Sequence, residues 1–153
     1  MTDQKTVLLI DDDESLRRVV EYNLREDGHE VVTAADGRTG LERFQASPVD
    51  LVLTDVRMPE MSGLEVLARV KAMQPDLPVI VLTAHGTIDA AVEAMKAGAF
   101  DYLTKPFTRE QLLASVRKAL ELGALATENR QLRQIVRERF SFANLIAGSR
   151  AMR

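Results

Sequence analysis

Three consecutive carboxylates, Asp11, Asp12 and Asp13, stand directly after the apolar run TVLLI at 6–10. Two carboxylates roughly 4 Å apart repel by about 4 kcal/mol at an effective dielectric of about 20. Crowding them at a strand end makes sense if they splay into water or gather around a cation. Further along, Asp55 follows the run 49–54, Thr83 closes the run 77–83, and Lys105, followed by Pro106, comes directly after 100–104. Asp11, Asp12 and Asp55 would make a hard oxygen site suited to Mg²⁺, which takes few protein oxygens and keeps several waters. A carboxylate is also a nucleophile able to form an aspartyl phosphate. Lys105 could neutralise the oxygens of an incoming phosphoryl group, and the Thr83 hydroxyl could hydrogen-bond it. Singly, each has a plainer reading. The Asp run could be a helix cap, Asp55 a turn former, Thr83 a strand terminus and Lys105 a solvated lysine. Their joint placement at strand ends favours a functional site.

Short apolar runs and amphipathic segments alternate to position these groups. TVLLI (6–10), VDLVLT (49–54) and LPVIVLT (77–83) are apolar on both faces, as strands buried from both sides are. HEVVTA (29–34) and FDYLT (100–104) are more mixed and suit sheet edges. Helical spacing joins Leu16, Val19, Val20 and Leu24, then Ile88, Ala91, Val92 and Met95, then Leu112, Val116, Ala119 and Leu120. Capping boxes open two helices, Ser62 to Glu65 and Thr108 to Gln111, and Asp13 reads as a cap. Gly28 and Gly98 sit where helices should stop. The result is five β-then-α units over residues 5 to 121. Right-handed crossovers turn these into an α/β fold, a doubly wound parallel sheet with helices on both faces. In such a sheet, ligands bind beyond the carboxyl ends of the strands, where the acids, the hydroxyl and the ammonium would converge.

Composition narrows the classes. Of 153 residues, 46% are hydrophobic, which supports a sizeable core, and the formal net charge of −3 is mixed along the chain. No basic patch or zinc-finger spacing points to direct nucleic-acid binding. The absence of cysteine excludes disulfides and thiolate chemistry. No apolar run approaches the ~18 residues of a membrane span, and the polar N-terminus is no signal peptide. These features predict a soluble cytoplasmic protein.

From 122 to 140 the pattern changes. Leu122, Leu125, Asn129, Leu132 and Val136 step by 3, 4, 3 and 4, an a/d seam of about two and a half heptads. This predicts a helical coiled-coil linker that pairs two chains, with Asn129 favouring register over stability. The alternative is a lone amphipathic helix packing on its own domain or on an absent one.

The stretches VLLIDDDESLRR, DLVLTDVRMPEMSGLEVL, PVIVLTAHG and GAFDYLTKPF resemble those of a response regulator receiver domain of two-component systems. The resemblance covers residues 1–121 and implies a flavodoxin-like (βα)5 fold with strand order 2-1-3-4-5. It makes Asp55 the phosphoacceptor, Asp12 a direct Mg²⁺ ligand and Asp11 a ligand through water, with the backbone carbonyl of Arg57 completing the metal site. It further implies that Thr83 and Lys105 bind the phosphoryl group, that Tyr102 is an aromatic switch, and that the Lys105–Pro106 bond is cis. The linker 122–140, followed by FANLIAGSRAM, resembles NtrC-type activators of sigma-54-dependent transcription, with residues 141–153 the start of a truncated AAA+ domain. No glycine is followed by lysine, so no P-loop is present.

The resemblance implies a regulatory phosphoacceptor rather than an enzyme, although the protein would take part in its own phosphotransfer and dephosphorylation. Its implied partners are a sensor histidine kinase, a second copy of the chain and the downstream AAA+ domain. The two copies would meet through the linker and the face of the fourth helix, fifth strand and fifth helix. An unphosphorylated dimerisation module is one alternative. An Asp-nucleophile phosphatase is another, but it needs an acid two residues past the nucleophile, where Arg57 stands. A flavin mononucleotide carrier is disfavoured because three carboxylates would repel the cofactor phosphate. His85 and Arg57 flank the site and could tune hydrolysis.

Overall fold

The computed structural model describes residues 4–84 and 88–123. Strands β1 (Thr6–Ile10), β2 (Glu30–Ala34), β3 (Leu51–Asp55), β4 (Val79–Thr83) and β5 (Asp101–Thr104) alternate with α1 (Glu14–Glu26), α2 (Gly37–Ala46), α3 (Gly63–Met73) and α4 (Ile88–Lys96). A further helix, α5, occupies 109–123. All strand pairings are parallel, in the order β2-β1-β3-β4-β5. The fold is therefore the flavodoxin-like one expected, with the two mixed runs at the edges. Among the described residues no helix is long and apolar enough to cross a membrane.

The period-2 geometry of a strand sends alternate residues to opposite faces, and here both faces are dry. Leu8, Ile10, Val52, Val79 and Val81 pack with Leu41 and Phe44 of α2, Val66, Leu67 and Val70 of α3, and Ala94 of α4. Val7, Leu9, Leu51, Leu53, Ile80 and Leu82 pack with Val20 and Leu24 of α1 and with Leu112, Val116, Ala119 and Leu120 of α5. Fully burying a Leu or Val side chain contributes about 1.5–3 kcal/mol relative to leaving it exposed. These two layers fix the sheet, and the sheet fixes the strand ends.

Helix ends follow the capping residues. Asp13 accepts the Leu16 N–H at 3.2 Å and starts α1. Thr108 and Gln111 make the full reciprocal box before α5, at 3.0 and 2.9 Å. Ser62 makes only half of its box: its hydroxyl accepts the Glu65 N–H at 3.3 Å, while the Glu65 carboxylate turns to Arg69 at 2.9 Å. Gly28 and Gly98 have φ of 92° and 104°, the left-handed conformation that closes a helix without a Cβ penalty.

Two helical faces differ from expectation. Val19 is exposed on α1, and Val92 and Met95 are exposed on α4. Ala91 is buried as expected, and Ala94, outside the expected stripe, is buried as well. Val92 and Met95 line a groove against Tyr102 of β5. Of the linker seam, Leu122 lies within α5 and is exposed. Leu125, Asn129, Leu132 and Val136, the rest of the linker to 140, the segment 141–153 and His85 lie outside the described residues.

Candidate functional site

Because every strand runs the same way, the carboxyl ends of β1, β3, β4 and β5 form one rim. Asp11 follows β1 immediately, Asp55 and Thr83 are the last residues of β3 and β4, and Lys105 follows β5. Asp11, Asp55 and Thr83 are buried, while Asp12 is exposed to solvent. The rim is tied together by backbone hydrogen bonds: Asp11 N to Ala34 O at 3.1 Å, Val56 N to Leu82 O at 3.0 Å, and Lys105 N to Thr83 O at 2.7 Å. The Lys105–Pro106 bond is cis.

Lys105 joins the acids. Its Nζ lies 3.2 Å from Asp11 Oδ2 and 3.4 Å from Asp55 Oδ1. One carboxylate oxygen from each of Asp11, Asp12 and Asp55 lies within 4.8 Å of the others. Asp11 Oδ1 accepts the Asp13 N–H at 2.9 Å. Asp11 Oδ2 is buried with no hydrogen bond, so its contact with Lys105 is ionic but poorly aligned. A buried carboxylate oxygen without a hydrogen bond is costly, and a cation would relieve that cost. The arrangement therefore fits a hard divalent cation in donor type, number and spacing.

Electrostatics agree with the geometry. Burial pushes the Asp55 carboxyl up to about 6, the Asp11 charge adds to the rise, and Lys105 partly offsets it. Burial alone would lower Lys105, but the charges of Asp11 and Asp55 outweigh it and hold the ammonium above its usual range. The site is over-supplied with negative charge for its single ammonium, a state that favours an added cation.

The turn after β3 is unusually tight. Gly63 donates its N–H to Val56 O at 2.8 Å, and a Cβ at Gly63 would fall 2.0 Å from Asp55 O. The buried Thr54 hydroxyl donates to that same carbonyl at 3.1 Å. Neither Gly63 nor Thr54 was marked as part of the site by residue chemistry. The only sequence signal is a small residue eight positions after the acid, at the start of a helix.

Arg57 stands two residues past Asp55 with an exposed side chain, while the role expected of it belongs to its backbone carbonyl. Tyr102 points outward, 43% exposed, and lines the groove with Ala91, Val92, Met95 and Lys96.

A parallel sheet with acids and a lysine on its carboxyl rim defines a class, and comparison with known proteins identifies it. The family model described as "Response regulator receiver domain" matches residues 7–117, and the chain belongs to that family. It is 43% identical over 130 residues to the transcriptional regulatory protein GlrR of Escherichia coli (strain K12), covering 85% of this chain and 29% of that protein. With the regulatory protein AtoC of the same organism it shares 36% identity over 152 residues, 99% of this chain and 33% of AtoC. The chain thus spans about a third of the length of the curated relatives it matches.

Among solved structures, NtrX from Brucella abortus in complex with ADP superposes with a TM-score of 0.82 at 32% identity, over 85% of this chain and 30% of that one. A response regulator receiver domain protein from Clostridium thermocellum does so with 0.76 at 38% identity, over 80% and 98%. The resemblance to NtrC-type regulators drawn from the tail of the receiver is met in these relatives.

Proposed function

We propose that the protein is a phosphorylation switch in which Asp55 accepts a phosphoryl group from a phosphohistidine of a sensor histidine kinase. The observation behind this reading is the convergence of buried Asp11, buried Asp55 and Lys105 within 3.4 Å contacts on the strand-end rim. An Asp55 oxygen attacks phosphorus, the phosphorus–nitrogen bond breaks, and the imidazole leaves as the neutral ring after taking up a proton. Asp11, Asp12 and Asp55, with the Arg57 carbonyl, would hold Mg²⁺. Bound there, the ion supplies charge neutralisation for the acids and for the equatorial phosphoryl oxygens. Lys105 holds a phosphoryl oxygen by an ion pair, and the Thr83 hydroxyl donates to another. Movement of Thr83 leaves space for Tyr102 to turn inward from its exposed position, which changes the α4–β5–α5 face.

That face and the linker 122–140 are the proposed homodimer contacts, so phosphorylation would alter how two copies pair. In a longer protein, the output is an AAA+ domain that activates sigma-54-dependent transcription in the cytoplasm, with no direct nucleic-acid contact by this segment. Exposure to acetyl phosphate and Mg²⁺, followed by intact mass, tests the reading. One added phosphoryl group that is lost in Asp55→Asn is expected. No addition to the wild type would overturn it.

A further inference from the structure

Asp11 has four polar atoms, and three of them are committed. Its N–H donates to Ala34 O at 3.1 Å, its Oδ1 accepts the Asp13 N–H at 2.9 Å, and its carbonyl oxygen accepts from Arg17 Nη1 at 2.8 Å. Only Oδ2, the oxygen that faces Lys105, is left without a hydrogen bond. The backbone links come from the neighbouring strand and from the next turn. The Arg17 contact is different, because a side chain on the first turn of α1 reaches back six residues to a partly buried carbonyl.

That carbonyl belongs to the peptide plane between Asp11 and Asp12. A peptide is planar, so pinning its oxygen fixes the direction in which the chain carries Asp12. Asp11 lies just beyond the last residue pairs of β1, Ile10 with Ala34 and Ile10 with Thr54. The sheet ladder therefore does not hold the Asp11 carbonyl, and a charged N–H donor, stronger than a neutral one, does.

We infer that Arg17 is a positioning residue of the acid site, setting the Asp11–Asp12 peptide so that both carboxylates reach one cation. The inference rests on the proposed Mg²⁺ function of the cluster. Arg17 does not touch the metal or the phosphoryl group; it acts through the backbone. A partner that orients a ligand from outside the coordination sphere typically changes metal affinity about 10–100-fold when removed.

Arg18 provides the comparison. It carries the same charge one residue on, but its guanidinium pairs with Glu14 at 2.8 Å in solvent. Removing a cation beside an acid cluster strengthens the attraction for another cation, whereas loss of a brace weakens binding, so the direction of the change separates the two roles.

The test titrates Mg²⁺ by calorimetry into the full chain as wild type, Arg17→Met and Arg18→Met, with thermal unfolding of each protein in chelator. R17M is expected to raise the Mg²⁺ dissociation constant about tenfold, and R18M to leave it unchanged or slightly lower. If R17M does not fold, R17Q, whose shorter side chain falls short of the Asp11 carbonyl, is expected to show the same loss. A folded R17M or R17Q that binds Mg²⁺ as tightly as wild type overturns the inference, even if its unfolding temperature drops, because the role is then only structural. A wild type that takes up no Mg²⁺ sinks the proposed function and this inference with it, an outcome distinct from equal binding by wild type and variant.

Discussion

Asp27 and Asp55 are both held by cations from distant parts of the chain, yet folding treats them in opposite ways. At the end of α1, Asp27 receives Nε of Arg117 on its Oδ2 at 2.9 Å and Nη2 on its Oδ1, while His29 Nε2 lies 3.2 Å from Oδ2. The hydrogen bonds from Arg117 hold the Asp27 carboxyl below the usual range, against the effect of its burial. At the end of β3, Asp55 shares one ammonium with Asp11 and is pushed up to about 6, chiefly by burial. Asp27 is saturated, and it ties α1 to α5. Asp55 is under-compensated, a deficit that an added cation would relieve. The contrast separates an acid that serves architecture from one to which the proposed function assigns chemistry.

Four variants break or sharpen that contrast, and the largest effect lies under the α1–α5 seam. Leu24→Ala removes a fully buried side chain from that layer and is expected to cost about 3 kcal/mol in urea unfolding. Phosphoryl uptake by the folded fraction should not change.

Gly63→Ala forces a Cβ against Asp55 O, with an expected cost of about 2 kcal/mol. Unlike Leu24→Ala, it should also slow phosphoryl uptake read by intact mass, because the displaced atom belongs to the proposed phosphoacceptor.

Asp55→Asn should reverse the sign. Without metal it removes a raised carboxyl from a buried cluster, so stability at neutral pH is expected to rise by about 1 kcal/mol. The Asp55 value lies above its unfolded one. Its contribution is therefore greatest below the ordinary 3.8 and is lost as pH rises through about 6. The variant should flatten that segment of the metal-free stability curve, measured by denaturant titration.

Asp27→Asn is the smallest change. The wild-type carboxyl lies below its unfolded value, so its contribution is complete above the ordinary 3.8 and is lost as pH falls through the lowered one. The variant is expected to lower the unfolding midpoint by a few degrees near neutral pH. It should lose that difference in acid and leave phosphoryl uptake intact.

The fold was legible where one physical signal dominates. Buried runs such as 6–10 and 77–83 contain their strands because a doubly covered sheet needs apolar residues on both faces. Asp13 and the Thr108–Gln111 box announce helix starts through short-range chemistry. The reading of α4 failed at Val92 and Met95 because periodicity reports an apolar stripe without saying what covers it.

In the site, the acids and Lys105 could be placed because parallel strands deliver their ends to one rim. The Arg17 brace has no periodic signature, being a side chain bound to a backbone atom six residues away. Asp27 and Arg117 are 90 residues apart, a pairing that only the packed layers create. The closeness of Gly63 to Asp55 O likewise exists only in three dimensions.

The common direction of the strands has a practical corollary at the other end of the barrel-less sheet. The turns entering β3, β4 and β5, at 47–50, 74–78 and 97–100, lie a full strand length from the acids. A fluorophore or an inserted peptide placed there would report on the molecule as a bystander, leaving the reactive rim with its neighbours undisturbed.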